Sequence, residues 1–401
     1  MHPTPRESQL RLKKNRILSH IFREGEASRF ALARRLNINA SMVGKYVEEF
    51  LEEGVLLEDA RRGSRRGRVP VAVRLNPAHG CFLGIDFEAL RARAVLTDFA
   101  GATIVRREVP FRAGMGRARM METVLATAES LARRAGRRPL LSVGVAAPGL
   151  VDIARGRVVR YPLVADFTDV PVRELFEGRF DVPVLVEHNI HTLTLAEMVR
   201  GGGAGHSDVL CLVVRSGMGL GIVIGGRIHR GAEGRAGTVG YTAFPHEGGT
   251  RRMTELVSAT GIVQRARDLL RTLRKTPARR ALLAKGEGAT LDGVVRAATA
   301  GDAALAALLE GTGRMLGLLL SNLANLFAPE RILLVGEVPS CSPLLRHGLE
   351  HEFRRGLLPE LEKAVVVADS RLEGYGAAFG AAVLGFLRRF PVDDSAVRSD
   401  L

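Results

Sequence analysis

Along residues 9–22, QLRLKKNRILSHIF, the apolar positions Leu10, Ile17, Leu18 and Ile21 fall on one face at helical spacing, and Gly25 closes the helix they predict. Ser28 is placed to cap a second helix, with Phe30, Ala31, Ala33 and Leu36 turned inward. Asn37 breaks that run. Asn39 or Ser41 then caps a third helix reaching about Glu53, with Val43, Val47, Phe50 and Leu51 as its core stripe and Gly54 as its stop. Two short apolar strands follow, at residues 55–57 and 71–75, joined by RRGSRRGR, which carries five arginines within residues 61–68.

Three helices and a basic hairpin are the pattern of a winged helix-turn-helix, whose third helix enters the DNA major groove by its N-terminal residues. Asn39, Ser41 and Lys45 point away from the core stripe and can reach bases or phosphates, with Ser28 at the start of the second helix beside them. Arg65, Arg66 and Arg68 of the wing can enter a minor groove or grip phosphate. Charge agrees. The chain is +15 overall, and residues 1–80 hold +7 of it, several-fold denser than the remaining 321 residues. A basic module at one end points to a polyanion, duplex DNA first. The alternative is a small helical protein-docking module with a solvated arginine loop.

From Cys81 the pattern changes. CFLGIDF reads as a buried strand, and residues 91–111 as two more joined by a turn at Ala100 and Gly101. A helix is predicted over residues 119–134. LLSVGVAA is a strand ending at Pro148 and Gly149, and VPVLVEHN another, leading into a helix from about His191. The order then restarts: VLCLVVRSG, LGIVIGG and RIHRG read as three strands, helices follow, and RILLVG is a buried strand. A duplicated strand–strand–strand–helix–strand order predicts an α/β domain of two lobes facing a cleft. Periodicity alone does not choose this fold over other α/β folds.

Five stretches, in order, carry a resemblance. They are GIDF at 84–87, APGLVD at 147–152, VPVLVEHN at 182–189, SGMGLGIVIGGRIHRGAEGRAGTVGY at 216–241 and LLSNLANLFAPERILLVGE at 319–337. Together they resemble the ROK family (repressors, open reading frames, kinases), within the actin-like sugar-kinase fold. A winged helix ahead of the kinase-like domain marks the family's regulators. The resemblance implies a winged helix-turn-helix at residues 1–78, a two-lobed actin-like domain at 79–390, and a tail at 391–401. Lobe 1 takes about 79–190 plus 370–390, and lobe 2 about 191–369.

The resemblance also says which residues a kinase of this family needs. The first phosphate loop of such kinases reads Asp-Xaa-Gly-Gly-Thr. Here Asp86 keeps the acid, but Glu88, Ala89 and Leu90 replace the glycines and threonine. Glycines let backbone amides approach phosphate closely, and Glu88 brings a like charge instead. The second phosphate loop survives as Gly217, Gly219 and Gly221, which can equally serve to shape a tight hairpin. The catalytic Asp of the family's Glu-Asn-Asp motif falls on Asn189 in Glu187-His188-Asn189. An amide cannot take the sugar's proton, though it can still hydrogen-bond a hydroxyl. His188 is the remaining candidate base, or a hydrogen-bonded cleft histidine. The sugar-binding Glu and His fall on Thr238 and Tyr241, and only Glu255 remains of the later ligands. The family's zinc cysteines are missing from PHEGGTRRMTE, so His246 stands alone and no metal is expected.

Cys81, Cys211 and Cys341 have no metal-ligand spacing and make no disulfide framework, which suits a reducing compartment. The N-terminus is polar, and the longest apolar stretch, near Leu316 to Leu320, is judged too short to cross a bilayer. The expectation is a cytoplasmic DNA-binding regulator, in the first instance a repressor. It binds a double-stranded operator as a homodimer or higher homo-oligomer, takes a carbohydrate or sugar-phosphate effector, and uses no cofactor. The alternative is an ATP-dependent sugar kinase with an atypical site.

Overall fold

A computed structural model describes residues 5–59, 71–112, 114–246, 248–272, 289–372 and 374–391. Two compact units divide the chain: Met1–Arg200 with Tyr375–Leu401, and Gly201–Gly374. The lobe boundary expected near residue 190 therefore falls at Arg200. The basic module lies in the first unit with the lobe that follows it.

The module comprises α1 (Pro5–Glu24), β1 (Glu26–Ser28), α2 (Arg29–Leu36), α3 (Ala40–Glu52), β2 (Leu56–Asp59) and β3 (Ala72–Leu75). Ile17, Leu18, Ile21 and Phe22 bury one face of α1, while Leu10 is partly exposed. The Ser28 side chain caps α2, and Asn37 closes it in a left-handed conformation. The inward face of α2 differs from expectation. Phe30 is 74% exposed and Leu32 is the buried residue. The cause is β1, a three-residue strand that pairs antiparallel with β3 and fixes how α2 enters the module. The order β1-β3-β2 makes the wing sheet. Arg65, Arg66 and Arg68 lie outside the described residues.

The lobe begins with β4 (Cys81–Phe87), β5 (Arg91–Asp98) and β6 (Thr103–Pro110), an antiparallel meander, and continues through α4 (Arg117–Ala132) to β7 (Leu140–Ala147). A small sheet of β8 (Leu150–Asp152), β9 (Arg157–Arg160) and β10 (Thr168–Val170) follows, then α5 (Val172–Glu177), β11 (Val184–His188) and α6 (Asn189–Arg200). The main sheet runs β11-β7-β4-β5-β6, with β4, β7 and β11 parallel. Gly84 and Gly144 are paired on β4 and β7, and a Cβ on either would lie 1.9–2.0 Å from a carbonyl oxygen of the last helix. That gap admits the helix at Gly376–Arg389, whose Ala377, Ala378, Ala381 and Ala382 are buried against the sheet. Phe22 of α1 stacks on Phe386 of this helix at 4.0 Å, and Asn15 Nδ2 donates to the Pro391 carbonyl at 2.8 Å.

The second unit repeats the scheme. Its strands are β12 (Val209–Val214), β13 (Met218–Ile224), β14 (Arg227–Ile228), the hairpin β15 (Ala243–His246) and β16 (Gly249–Arg252), β17 (Arg331–Val335) and β18 (Val366–Asp369). The main sheet runs β14-β13-β12-β17-β18, with β12, β17 and β18 parallel and β12, β13 and β14 an antiparallel meander. Read from the other edge, this is the order of the first sheet, so the duplication in the sequence is a duplication of topology. The helices are α7 (Met253–Val257), α8 (Ala259–Thr272), α9 (Leu291–Thr299), α10 (Ala303–Phe327) and α11 (Pro343–Gly356), and Gly376–Arg389 of the first unit is α12. The expected length limit on apolar stretches is corrected here. α10 has 25 residues and is long and apolar enough to cross a membrane. It is instead a core helix: Leu305, Leu309, Leu316 and Leu320 are fully buried. Gly313 and Gly317 approach the α11 backbone where a Cβ would collide.

Candidate functional site

In the N-terminal module, Asn39 rather than Ser41 is the cap of α3. Asn39 Oδ1 accepts from the Ser41 amide at 2.9 Å and from the Ser41 hydroxyl at 2.8 Å, satisfying an otherwise orphaned donor at the start of α3. Val43, Tyr46, Val47 and Phe50 bury the far face, and Asn39, Ser41 and Lys45 are exposed. The Lys45 ammonium stands 3.9 Å from Glu49, a loose surface pair that leaves it free to move to phosphate. Ser28 Oγ accepts from the Ala31 amide at 3.1 Å, so its hydroxyl serves the α2 cap. Sequence reasoning missed Arg29, whose guanidinium reaches Glu48 and Glu58, each at 2.6 Å, and ties α2 to α3 and β2.

A second cluster forms at the carboxyl edge of the first sheet. Register places Asp86 of β4 and Glu187 of β11 on either side of the same residue, Ala146. Asp86 is 2% exposed. The loop after it is closed on itself. The Glu88 amide donates to the Arg91 carbonyl at 2.9 Å, and the Leu90 carbonyl accepts from the Phe111 amide at 2.7 Å. The Ala89 amide donates to the Tyr161 hydroxyl, also at 2.9 Å. Burial first, then the Glu88 and Asp86 carboxylates, hold the Tyr161 phenol above its ordinary range, so it stays protonated.

Glu187 is buried. Its Oε1 accepts from the His188 amide and faces His191 Nδ1, each at 2.9 Å. His188 Nδ1 accepts from the Ile190 amide at 3.2 Å, which assigns the ring proton to Nε2. Burial, with His191 adding to it, lowers the His188 pKa to about 4. Such an imidazole is neutral at physiological pH and a weak base, with one lone pair already engaged. Asn189 is half-buried at the first position of α6. Asp86, Glu88, His188 and Asn189 thus share one edge of one sheet.

The remaining candidates belong to the second unit. Gly217 forms the β12–β13 turn, and its carbonyl accepts from the Arg215 amide at 2.8 Å. Gly219 and Gly221 lie within β13 opposite Val213 and Cys211, so only one of the three shapes the turn. The close approach sits elsewhere, at Gly237: its φ is +81°, and a Cβ there would lie 1.8 Å from the Leu220 carbonyl oxygen. Thr238 is exposed and donates to the Arg235 carbonyl at 2.7 Å. Tyr241 is 50% exposed, with the Arg252 guanidinium 4.6 Å from its ring centroid. Glu255 is exposed in the first turn of α7.

Among the described residues no group of three or more His, Cys, Asp or Glu is placed to hold a metal ion. The zinc that the resemblance implies does not fit this chain. His246 lies on the β15–β16 hairpin, Cys81 and Cys211 are buried in sheet strands, and Cys341 is half-buried. Burial raises the Cys81 and Cys341 thiols to about 11, away from the thiolate that zinc requires.

Residues 82–386 match the ROK family, and residues 10–56 match a winged helix-turn-helix DNA-binding domain. The chain belongs to the ROK family. It is 27% identical to the xylose repressor of Caldicellulosiruptor bescii over 58% of this chain and 59% of that one, under two thirds of the relative's length. It is 23% identical to the DNA-binding transcriptional repressor Mlc of Escherichia coli over 90% and 89% of the two chains. Among solved structures, a ROK family transcriptional regulator described as a homolog of that Mlc aligns with a TM-score of 0.79, 20% identity and coverage of 97% and 99%. A ROK family glucokinase from Streptomyces griseus, in complex with glucose and AMPPNP, aligns with a TM-score of 0.63 and 26% identity over 76% of this chain and 99% of that one.

Proposed function

We propose that this protein is a cytoplasmic transcriptional regulator, a repressor, in which the winged module binds an operator and the ROK domain performs no phosphoryl transfer. The observation that carries the reading is a capped α3 with Asn39, Ser41 and Lys45 exposed at its N-terminal end. That end is the part of a recognition helix that meets base edges. The family's relatives named as repressors support it. A homodimer or higher homo-oligomer would set the spacing of two such helices on a palindromic site. A carbohydrate or sugar phosphate is the effector class, with His188 and Asn189 of the first unit as its candidate contacts.

The kinase alternative has the solved glucokinase in its favour and two features of this chain against it. The base position holds Asn189, and the neighbouring His188 has its pKa lowered to about 4. The test is a gel-retention assay with the DNA upstream of the protein's own operon, run beside an ATP-dependent phosphorylation assay over a hexose and amino-sugar panel. Specific DNA retention without phosphorylation supports the reading. Phosphorylation without specific retention reverses it.

A further inference from the structure

The first unit carries a concavity at the opposite edge of its sheet from Asp86 and Asn189. Leu141 and Ser142 at the start of β7, and Val184 and Leu185 at the start of β11, line a cavity of about 480 Å³. That is the size of sites that take small metabolites. Its polar lining is unbalanced in charge: Arg173, Arg388 and Arg389 against the single carboxylate of Glu177. Arg173 is fixed in place, donating to the Ile153 and Ala154 carbonyls at 3.1 and 2.8 Å. Arg388 and Arg389 close α12 and are exposed, and among the described residues neither has an ion-pair partner.

Beneath the cavity lies a buried polar atom with no partner. Ser142 is 5% exposed, and its Oγ makes no hydrogen bond. It sits 2.1 Å from where a Cβ on Gly385 would be, in space that only glycine leaves open. A buried hydroxyl left unsatisfied is costly, and rotation about one bond redirects it. Three guanidiniums, a misplaced hydroxyl and an apolar wall suit a ligand with an oxyanionic end and a short carbon body, because guanidinium forks pair with carboxylate or phosphate oxygens.

We propose that this cavity binds a small organic oxyanion, a phosphate ester or carboxylate, through Arg388, Arg389 and Ser142. The site is separate from the one expected for a sugar. It also bears on the DNA-binding module, because the α12 turn that carries Arg388 and Arg389 also carries Phe386, stacked on Phe22 of α1. Only an effect on DNA affinity rests on the regulator reading; binding itself does not.

The test is isothermal titration of the full chain with 3-phosphoglycerate and, separately, with inorganic phosphate, at constant ionic strength set with chloride. The expected result is saturable binding of one 3-phosphoglycerate per chain, weakened by about tenfold or more in the double variant Arg388→Ala, Arg389→Ala. Ser142→Ala, which removes an unsatisfied hydroxyl, should melt no earlier than the parent yet bind more weakly. Saturation by inorganic phosphate as well would identify the oxyanion alone as the recognised group. The proposal is overturned if neither probe gives a saturable signal, or if the double variant, still folded by circular dichroism, binds as well as the parent.

Discussion

The Ala89 amide donates to the Tyr161 hydroxyl at 2.9 Å. The resemblance implies a phosphate loop here, in which that amide would face a nucleotide; the amide instead meets Tyr161, the residue after β9. The contact also fixes the loop, because Tyr161 is buried and its phenol is held protonated by its surroundings. Tyr161→Phe should therefore lower unfolding free energy by about 1–2 kcal/mol, the cost of orphaning a partly buried donor. Urea denaturation of both proteins measures it. An unchanged midpoint would mean that water serves the Ala89 amide equally well.

Acid should destabilise the protein in a window set by His188. Its folded pKa, about 4, lies below the value of 6.5 for an unperturbed histidine. Between these values the unfolded chain holds the proton and the folded chain does not, so stability falls as pH drops from 6.5 towards 4. The shift corresponds to about 3 kcal/mol at most. His20 and His79, also lowered chiefly by burial, act in the same direction. Thermal melts from pH 7 to pH 4 should show the fall, and His188→Gln should reduce its slope. The same slope in both proteins would place the proton elsewhere.

The regulator reading has a catalytic consequence. The resemblance assigns the base position to Asn189, and on that reading turnover with ATP and hexoses should be lower by roughly 10²–10⁴-fold than in a working kinase. The closed Glu88–Leu90 loop should lower it further. Asn189→Asp alone should not restore activity, since the loop still engages its own amides. Coupled-enzyme detection of ADP across a sugar panel measures this. Wild-type turnover that disappears in His188→Ala would instead make His188 the base.

Much of this architecture was legible in the sequence, where periodicity and capping chemistry act locally. The core stripe of α3 needs only Val43, Val47 and Phe50 at helical spacing, and Ser28 and Asn39 cap as their types predict. The doubled sheet followed from runs of buried strands. What stayed hidden depends on partners distant in the chain. Phe30 reads as a core residue until β1 pairs with β3 and turns α2 so that Leu32 faces inward. The role of Gly84 and Gly144 is not visible in their strands, because it depends on α12 returning from the far end of the chain to fill the gap they leave. The Tyr161 contact joins segments 72 residues apart, and no motif announces it. At the candidate site, residue types carried the expectation of altered chemistry, but not the closure of the loop by the Phe111 amide and the Tyr161 hydroxyl.

Specificity should separate from affinity within the DNA module. Asn39→Ser keeps a capping oxygen, so α3 should remain stable, while any base contact from the amide is lost. Asn39→Ala should remove both and cost about 1 kcal/mol of stability. Lys45→Ala should weaken binding to all sequences if it contacts phosphate, and alter sequence preference if it reaches a base. Selection from a randomised duplex pool, read beside thermal melts, separates these effects. Identical preferences in all three variants and the parent would remove the start of α3 from the interface.

The most direct measurement is fluorescence anisotropy of the full chain with a duplex from upstream of its own operon, against a scrambled duplex, at several salt concentrations. The account predicts tight, sequence-dependent binding that weakens steeply with salt, and a shallower salt slope when Arg65, Arg66 and Arg68 are replaced by Ala. Equal affinity for both duplexes, or no binding at low salt, would contradict it.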